Sequence, residues 1–393
     1  MICLEESEIN KDPQRLREYW LSRRSFCIVP RKRGFSGEWL SKTLTVVSRN
    51  YENGCFGLFT SGSTGLPRLV LASKERARRM AEVLHLVQQG NDVREVVFTL
   101  PVSYCFAFVN QWLWAHQYER RMVWTGGVSY PERIIGALRK ADGAMLCLVG
   151  AQLPFLQSIA GRYKYEGVSC IHFAGGRFPQ EELGIVKEMF PRASIYNNYG
   201  CTEAMPRLTI RRAEDSDDWQ NIGKPLPGIE LRNTSGDSLE FRSPYSALGL
   251  AGEAICTKFA RGQWMPTGDK GQQLPDGSWR ILGRTDEIFK RYGEKISLPA
   301  ILDFVLESWS GQVTSYKETD PNLEEGYVLV LSPSPTKAQL NQVLISFRKN
   351  FSRTRWPLRI ESVCKFAYLS SGKIDEGEIK NLSQSSVHWR LRL

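Results

Sequence analysis

The stretch FTSGSTGLPRLV (residues 59–70) concentrates hydroxyl side chains and glycines in one segment and then adds a proline and a basic residue. Glycine lets a backbone approach a ligand closely, and hydroxyl and backbone N–H groups donate hydrogen bonds to anions such as phosphate. The apolar run before it and the helical pattern that starts at Ser73 predict a loop between a strand and a helix. It is not a Walker loop, because the Gly57-x4-Gly62 spacing would require Lys at the position of Ser63. Taken alone, the stretch fits either a phosphate-binding loop or a Ser/Gly-rich surface turn.

Apolar runs alternate with helical patterns after this stretch. A possible Ser73 cap precedes a helix with apolar residues at 80, 83, 84 and 87, and Pro131 is well placed for the first turn of another helix. Short apolar runs between the helical patterns predict buried strands at residues 94–100, 144–150, 169–175 and 193–200. This alternation predicts an α/β fold with a mainly parallel sheet covered by helices.

The pattern changes twice in the second half of the chain. From about residue 220 to 282, short alternating runs rich in Gly and Pro predict a small antiparallel part. The last hundred or so residues alternate again and predict a small α+β unit. Its elements are a helix at 298–309, a strand at 326–332, a helix with a Thr336–Gln339 capping box and a strand at 360–369.

Composition excludes several classes of protein. The 393 residues are 42% hydrophobic and 24% charged, as in an ordinary globular protein of two or three domains. No run approaches the roughly 18 apolar residues of a membrane span, and the N-terminus lacks a signal pattern, so a cytoplasmic protein is expected. The nine cysteines are scattered singly, which argues against a zinc site and a disulfide framework. The net charge of +10 is spread out without a nucleic-acid-binding motif, so we expect no nucleic-acid partner.

A series of motifs resembles the adenylate-forming (AMP-binding) superfamily, which includes acyl-CoA synthetases, nonribosomal peptide adenylation domains and luciferases. The motifs occur in the order typical of that superfamily: TSGSTGLPR (60–68), FAGG (173–176), NNYGCTEA (197–204), IGKPLPGIE (222–230), PTGDKG (266–271), GRTDEIFKRYGEKISLP (283–299) and SSGKID (370–375). Each motif alone is weak or moderate evidence. Their shared order over most of the chain identifies the sequence as a member of this superfamily.

The resemblance implies two domains. Residues 1–285 would form a large adenylation domain that binds ATP and an acid, and residues 286–393 a mobile C-terminal domain. Asp286 falls at the hinge position, and Lys373 at the position of the catalytic lysine. Relatives carry a considerably longer region before the phosphate motif than the 58 residues here, so a short member with a trimmed N-terminal region is expected.

The resemblance also implies a site for ATP and Mg²⁺. The hydroxyl groups of Thr60, Ser61, Ser63 and Thr64 would bind the β and γ phosphates, with Gly62 and Gly65 giving the loop its reach. Arg68 stands where the family usually has Lys. Thr202 would lie beside the α-phosphate and Glu203 would hold Mg²⁺, so these two residues join Lys373 as catalytic candidates. The other nucleotide-binding candidates are Gly175 and Gly176 near the adenine, Asn198, Tyr199 stacking on the adenine, Gly200, Asp269 on the ribose, and Arg284.

The expected substrate is a small carboxylic acid of the aryl or short acyl type. The pocket candidates are Tyr104, Phe106, Val149, Gly150 and Ala174. Many acyl-CoA synthetases place His where Tyr104 stands, and no Asp that could hold an α-amine is present around residues 100–108. The acid would be activated to acyl-AMP with release of pyrophosphate and then transferred to a thiol of CoA or of a phosphopantetheinylated carrier protein. Transfer to a nitrogen acceptor and a catalytically degenerate binding module are the alternatives.

Overall fold

The computed structural model describes residues 1–31, 35–51, 53–60, 68–88, 90–234, 237–253, 255–285, 287–291, 294–320, 324–368, 374–381 and 385–391. The strands within these residues form four sheets. No helix in this part of the chain is both long and apolar enough to cross a membrane.

The N-terminal region builds most of the first sheet. Its elements are β1 (Ile2–Glu5), α1 (Glu6–Lys11), α2 (Gln14–Leu21), β2 (Phe26–Val29), α3 (Gly37–Asn50), β3 (Cys55–Thr60), β4 (Arg68–Ser73) and α4 (Lys74–Val87). Alternate side chains of the strands serve two different cores. Phe56 and Leu58 face a large core that contains α4, whereas Leu69 and Leu71 pack with residues of α3. The sheet is therefore covered by helices on both faces.

The middle of the chain forms the predicted parallel strands. Its elements are β5 (Glu95–Phe98), α5 (Cys105–Ala107), a π-helical stretch (Phe108–Leu113), α6 (Trp114–Gln117), β6 (Arg121–Trp124), α7 (Pro131–Arg139), β7 (Ala144–Leu148), α8 (Leu153–Ala160), β8 (Val168–Phe173), α9 (Leu183–Met189) and β9 (Ser194–Tyr199). Strands β6, β5, β7, β8 and β9 are neighbours in that order and pair in parallel. Pro131 occupies the start of α7, as the sequence predicts.

Most of the antiparallel strands that follow extend this same sheet. They are β10 (Thr209–Arg212), β11 (Asn221–Pro225), β12 (Glu230–Asn233), β13 (Ser238–Arg242), β14 (Gly249–Ala251), β15 (Cys256–Lys258), β16 (Met265–Gln273) and β17 (Trp279–Arg284). Strands β14 and β15 join the first sheet beside β4, and the other six continue the parallel strands beyond β9. In the described residues the second sheet thus has eleven strands. The change from parallel to antiparallel pairing occurs between β9 and β10.

In the C-terminal part, strands alternate with helices, as the sequence predicts. Its elements are β18 (Ile288–Arg291), β19 (Glu294–Ser297), α10 (Leu298–Leu306), β20 (Gln312–Asp320), β21 (Glu324–Ser332), α11 (Lys337–Asn350), β22 (Arg359–Ser362), α12 (Glu376–Asn381) and β23 (Ser386–Arg390). The Thr336–Gln339 capping box is present at the start of α11. The strand predicted at 360–369 is wrong in length, because β22 ends at Ser362.

Lys74 fastens the N-terminal helices to the start of α4. Its side chain is buried, and its ammonium group donates to the backbone carbonyls of Tyr19 (2.7 Å), Trp20 (3.2 Å), Ser22 (2.8 Å) and Arg24 (3.0 Å). Carbonyls at the C-terminal end of a helix have no partner within the helix and carry a partial negative charge. The lysine satisfies carbonyls at the end of α2 and so joins this helix to the strand that follows the phosphate segment.

We expect Lys74→Met to lower the free energy of unfolding by about 2–4 kcal/mol, because it leaves several buried carbonyls without a donor. Lys42→Met is the matched control. Lys42 forms two ion pairs, with Glu38 (3.0 Å) and Glu253 (2.9 Å), but it is exposed, so its loss should lower the free energy of unfolding much less than the loss of Lys74. Urea unfolding followed by tryptophan fluorescence gives both values. Equal losses for the two variants would contradict the anchoring role of Lys74.

Candidate active site

The phosphate segment connects two antiparallel strands. Thr60, the last residue of β3, pairs with Arg68, the first residue of β4. The predicted connection from a strand to a helix is therefore wrong, since β4 intervenes before α4 begins. The apolar run 69–72 lies too close to the helical pattern for its own strand to be recognised from sequence. The predicted cap is confirmed, because the Ser73 hydroxyl accepts a hydrogen bond from the backbone N–H of Arg76 (3.4 Å).

Several predicted site residues lie outside the described residues. Thr60 and Arg68 bound the phosphate segment, but the predicted phosphate-binding residues between them are not described. The same holds for the hinge candidate and for the catalytic lysine. These residues are Ser61, Gly62, Ser63, Thr64, Gly65, Asp286 and Lys373. Their assigned roles stay predictions.

Three nucleotide-binding candidates meet at the ends of three strands. The Tyr199 hydroxyl at the end of β9 donates to the Asp269 carboxylate on β16 (2.5 Å). Arg284 at the end of β17 donates to the other oxygen of that carboxylate (3.2 Å). Burial raises the pKa of the Tyr199 hydroxyl well above its usual value, and the charge of Asp269 adds to the effect. The tyrosine is therefore held as a neutral donor to the Asp269 carboxylate.

Gly268 lets the Arg284 guanidinium lie flat against the backbone of β16. Its φ of +81° lies in the left-handed region, which other residues rarely adopt. A Cβ at this position would lie 3.0–3.2 Å from the guanidinium group. Arg284 also donates to the Thr267 carbonyl (3.4 Å), so the strand backbone and Asp269 together orient the cation.

The acid-pocket candidates Tyr104, Phe106, Val149 and Ala174 pack in one small cluster. Tyr104 precedes α5, and its ring meets the ring of Phe106 edge to face, with 6.4 Å between the centroids. Burial raises the pKa of the Tyr104 hydroxyl, which keeps it neutral. The fifth candidate, Gly150, lies against a different neighbour, since a Cβ there would be 2.3 Å from the carbonyl of Arg177.

The FAGG turn lies directly against Tyr104. Gly175 has a φ of +81°, and a Cβ there would lie 2.2 Å from the Tyr104 hydroxyl oxygen. A Cβ added at Gly176 would lie 3.6 Å from the Val149 side chain. The two glycines therefore bring the turn after β8 against Tyr104 and Val149. Candidates for the adenine side and for the acid side of the predicted site meet at this turn.

The YGCTE segment leaves β9 and turns back towards it. Thr202 and Glu203 lie in a short 3₁₀ turn, and the Glu203 carbonyl accepts from Ala247 (2.8 Å). Gly200 permits the return, because a Cβ there would lie 2.1 Å from the Pro206 carbonyl. Within the described residues the Glu203 carboxylate has no hydrogen-bond or ion-pair partner. Burial raises the pKa of the Cys105 thiol, and the charge of Glu203 adds to the effect.

Sequence reasoning missed a buried polar group beneath these residues. Asn198 is a predicted nucleotide-binding residue, but its side-chain N–H donates to the Phe173 carbonyl (3.0 Å) and approaches His172 Nδ1 (3.3 Å). His172 and Arg207 are completely or almost completely buried beside it. The sequence signal for this buried group was a polar residue inside an otherwise apolar run, such as His172 in SCIHFAG.

A sequence profile of the family described as AMP-binding enzyme matches residues 5–241. The chain belongs to this family. The resemblance indicated by the motifs is thereby confirmed, together with the α/β fold class. The neutral tyrosine, the carboxylate and the oriented arginine at the strand ends suit the hydroxyl and base groups of the nucleotide that enzymes of this family bind. The Glu203 carboxylate, which no other described residue engages, is the kind of oxygen ligand that Mg²⁺ takes.

Similar proteins include a linear gramicidin synthase protein of Brevibacillus parabrevis, with 26% identity over 84% of this chain and 7% of that protein. The Medium-chain acyl-CoA ligase ACSF2, mitochondrial, of Bos taurus is 23% identical over 84% of this chain and 57% of that protein. The chain thus spans well under two thirds of these relatives. Among solved structures, the O-succinylbenzoate Coenzyme A Synthetase (MenE) from Bacillus subtilis in complex with AMP has a TM-score of 0.67, with 20% identity over 83% of this chain and 69% of that one. The anthranilate CoA ligase AuaEII in complex with anthranoyl-AMP has a TM-score of 0.70, with 16% identity over 96% and 77%.

We expect Asp269→Asn to raise the Kd for AMP about 10-fold or more. The substitution keeps the shape of the side chain but removes the charge that orients Arg284 and that would accept from the ribose hydroxyls. Asp276→Asn is the control, because Asp276 is an exposed carboxylate in the turn between β16 and β17 that bonds locally to Ser278 (2.6 Å). Isothermal calorimetry with AMP measures both. An unchanged Kd for Asp269→Asn would remove this residue from the nucleotide site.

Proposed function

We propose that the protein activates a small carboxylic acid with ATP and passes the acyl group to a thiol. The acid oxygen attacks the α-phosphorus of ATP, a new P–O bond forms, and pyrophosphate leaves. The thiol of CoA or of a phosphopantetheinylated carrier protein then attacks the acyl carbon and releases AMP. The observation that carries this proposal is the meeting of Tyr199, Asp269 and Arg284 at the end of β9, while the glycine turn after the neighbouring strand β8 packs against Tyr104.

The proposed first step brings two anions together, so it needs cations and hydrogen-bond donors at the point of contact. Thr60 and Arg68 bound the segment that would hold the β and γ phosphates, and Thr202 would lie at the α-phosphate. Glu203 would hold Mg²⁺, which would neutralise phosphate charge when it is bound. Lys373 would reach the carboxylate and the α-phosphate and stabilise the charge that develops between them.

The names of similar proteins support this reaction class. A Salicylyl-CoA synthase / salicylate adenylyltransferase of Streptomyces sp is 23% identical over 83% of this chain and 62% of that protein. MenE from Bacillus subtilis has also been solved in complex with ATP and magnesium ion, with a TM-score of 0.66 to this chain. These findings favour ATP, Mg²⁺ and an acid of the aryl or short acyl type as ligands of this chain.

We also propose that residues 1–285 and 286–393 move relative to each other during the cycle. Strand β17 ends at Arg284, immediately before the proposed hinge, and Gly283 lies against Pro299 at the start of α10. Arg177, which follows the glycine turn, forms an ion pair with Asp303 on α10 (3.1 Å). This pair is partly exposed and therefore weak enough to be exchanged for other contacts. Rotation about a few residues is a known mode of domain switching.

A pyrophosphate-release screen over aryl and short acyl acids tests the first step. We expect release that depends on both ATP and one class of acid, and Lys373→Ala should lower its rate by at least about 100-fold, on the scale of one electrostatic stabiliser. ATP binding should change little, which calorimetry can check. Lys365→Ala serves as a control on an exposed lysine of the same region. A rate for Lys373→Ala within a few-fold of wild type would show that this lysine is misassigned.

The second step is tested by separating the two half-reactions in Asp286→Pro. Proline fixes φ near about −65° and removes the backbone N–H, so a hinge at this residue could no longer rotate freely. We expect adenylation, measured as pyrophosphate release, to stay largely intact. Transfer from acyl-AMP to CoA or carrier protein, measured by the mass of the loaded acceptor, should fall steeply.

Asp286→Ala is the matched control for the hinge, because it removes the side chain and leaves the backbone free. Equal losses of both half-reactions in Asp286→Pro would mean damaged folding or site assembly. Unchanged rates for both half-reactions would show that the hinge, and therefore the boundary at residue 285, lies at another position. Formation of an amide with a nitrogen acceptor, in place of a thioester, would replace the proposed second step.

A further inference from the structure

Arg207 is a buried cation with only part of its hydrogen-bonding capacity used. It lies between β9 and β10 with 1% of its surface exposed. One terminal nitrogen, Nη2, donates to the Asn110 side-chain oxygen and approaches His172 Nδ1 (3.3 Å). The Nε and Nη1 groups have no hydrogen-bond partner in the described part of the chain. Arg207 forms no ion pair there with any carboxylate.

This arrangement is unfavourable in the absence of a ligand. Charged groups removed from water are normally paired with an opposite charge, and a buried donor without a partner loses its hydrogen bond to water without replacement. Burial lowers the pKa of Arg207 to about 10, which still leaves the guanidinium protonated at neutral pH. The protein therefore keeps a full positive charge in its interior, with two donor nitrogens that no described residue satisfies.

The described groups around Arg207 supply no compensating charge. His172 Nδ1 faces donors from both Arg207 and Asn198, so it accepts, and the proton resides on Nε2 near Cys170 Sγ (3.1 Å). Burial, reinforced by the charge of Arg207, lowers the pKa of His172 well below its usual value. Asn110 is neutral and bonds to the Cys147 sulfur (3.1 Å). The cluster is thus a neutral shell around one cation.

The cation adjoins the proposed acid pocket. Its guanidinium carbon lies 5.8 Å from the centroid of the Phe106 ring, and Phe106 belongs to the cluster that contains Tyr104. Cys147, His172 and Asn198 occupy the carboxyl ends of the neighbouring parallel strands β7, β8 and β9. Ligands of open α/β sheets bind outside these strand ends. Arg207 therefore adjoins the acid-pocket candidates at the end of the sheet where ligands of such folds bind.

We infer that Arg207 binds a second carboxylate of the substrate, so that the acid activated by this protein is a short dicarboxylic acid. The inference rests on the proposed function. The two carboxylates have different requirements. The reacting carboxylate loses its charge when it becomes an acyl phosphate, so a fixed buried cation bound to it would stabilise the substrate more than the transition state. The far carboxylate stays charged throughout, and a pair with Arg207 satisfies both the guanidinium and the acid.

Matched pairs of acids test this inference. Butanoate and succinate, and hexanoate and adipate, have equal chain lengths and differ in one terminal carboxylate. We expect wild-type kcat/KM for pyrophosphate release to be at least about 100-fold higher for the diacid, because a site built for a polar group rejects an analogue that lacks it. Arg207→Met should abolish or reverse this preference while keeping activity with the monoacid. Arg207→Lys keeps the charge and should retain part of the preference.

Arg212→Met is the control, because Arg212 is an exposed arginine on the adjoining strand β10 whose side chain donates to the Ser194 hydroxyl (3.3 Å). The Arg212→Met variant should prefer diacids over monoacids to the same degree as the wild type. Thermal unfolding of each variant shows whether it folds. If Arg207→Met does not fold, Arg207→Lys is compared with the wild type instead. Its kcat/KM for the diacid should be at least several-fold lower than that of the wild type, and its kcat/KM for the monoacid should be unchanged. Equal use of diacids and monoacids by the wild type, or an unchanged ratio in the folded variants, would overturn the inference and leave the proposed function standing.

Direct binding separates the two proposals. Calorimetry of succinate and adipate with wild type and Arg207→Met, in the presence of AMP, requires no turnover. If no acid supports pyrophosphate release but a diacid binds the wild type and not the variant, the proposed function fails and the assignment of the carboxylate site to Arg207 survives. Equal diacid binding by both proteins, or no diacid binding by the wild type, overturns that assignment.

Discussion

The hydrogen bond between the Tyr199 hydroxyl and the Asp269 carboxylate joins the two halves of the long sheet. Tyr199 ends the last parallel strand, and Asp269 lies on a strand of the antiparallel extension. The parallel half brings the glycine turn, the acid-pocket cluster and the YGCTE segment to one edge, and the extension brings Thr267, Gly268 and Arg284 towards it. The backbone ladder between β9 and β10 fixes the register of the two halves, and the Tyr199–Asp269 bond holds the nucleotide candidates of both halves together at this edge.

Two buried cations show how a structural charge differs from one that needs a ligand. Lys74 donates to four backbone carbonyls, so its ammonium group is saturated by the protein itself. Arg207 is buried more completely, yet its Nε and Nη1 donors have no partner in the described residues. A saturated charge holds elements together and has nothing left to offer a ligand. An unsaturated one lowers stability in the free protein, and binding of an anion would recover this cost.

Much of the fold follows from local sequence signals. The parallel strands, the Ser73 and Thr336 caps, and the antiparallel texture after residue 220 are predictable because each depends on a short pattern of burial or capping. Strand β4 was not predictable in the same way, since its residues 69–72 run directly into the pattern of α4. Arg207 and His172 could not be assigned from the chain alone, because their burial depends on strands that are distant in sequence. The motif pairs that meet, such as Tyr199 with Asp269, are predictable as members of one site but not as direct partners.

The two ends of the candidate site also differ in how solvent reaches their charges. Arg68 is exposed and the Arg284 side chain is 40% exposed, so salt and water screen their attraction for phosphate. Such screening would suit a region from which, in the proposed reaction, pyrophosphate and AMP leave in every cycle. Arg207 has no such access, and a charge bound to it would interact in a medium of low dielectric constant. In the proposed reaction, the partly exposed cations would therefore permit release of the nucleotide products, whereas the buried cation would discriminate between acids.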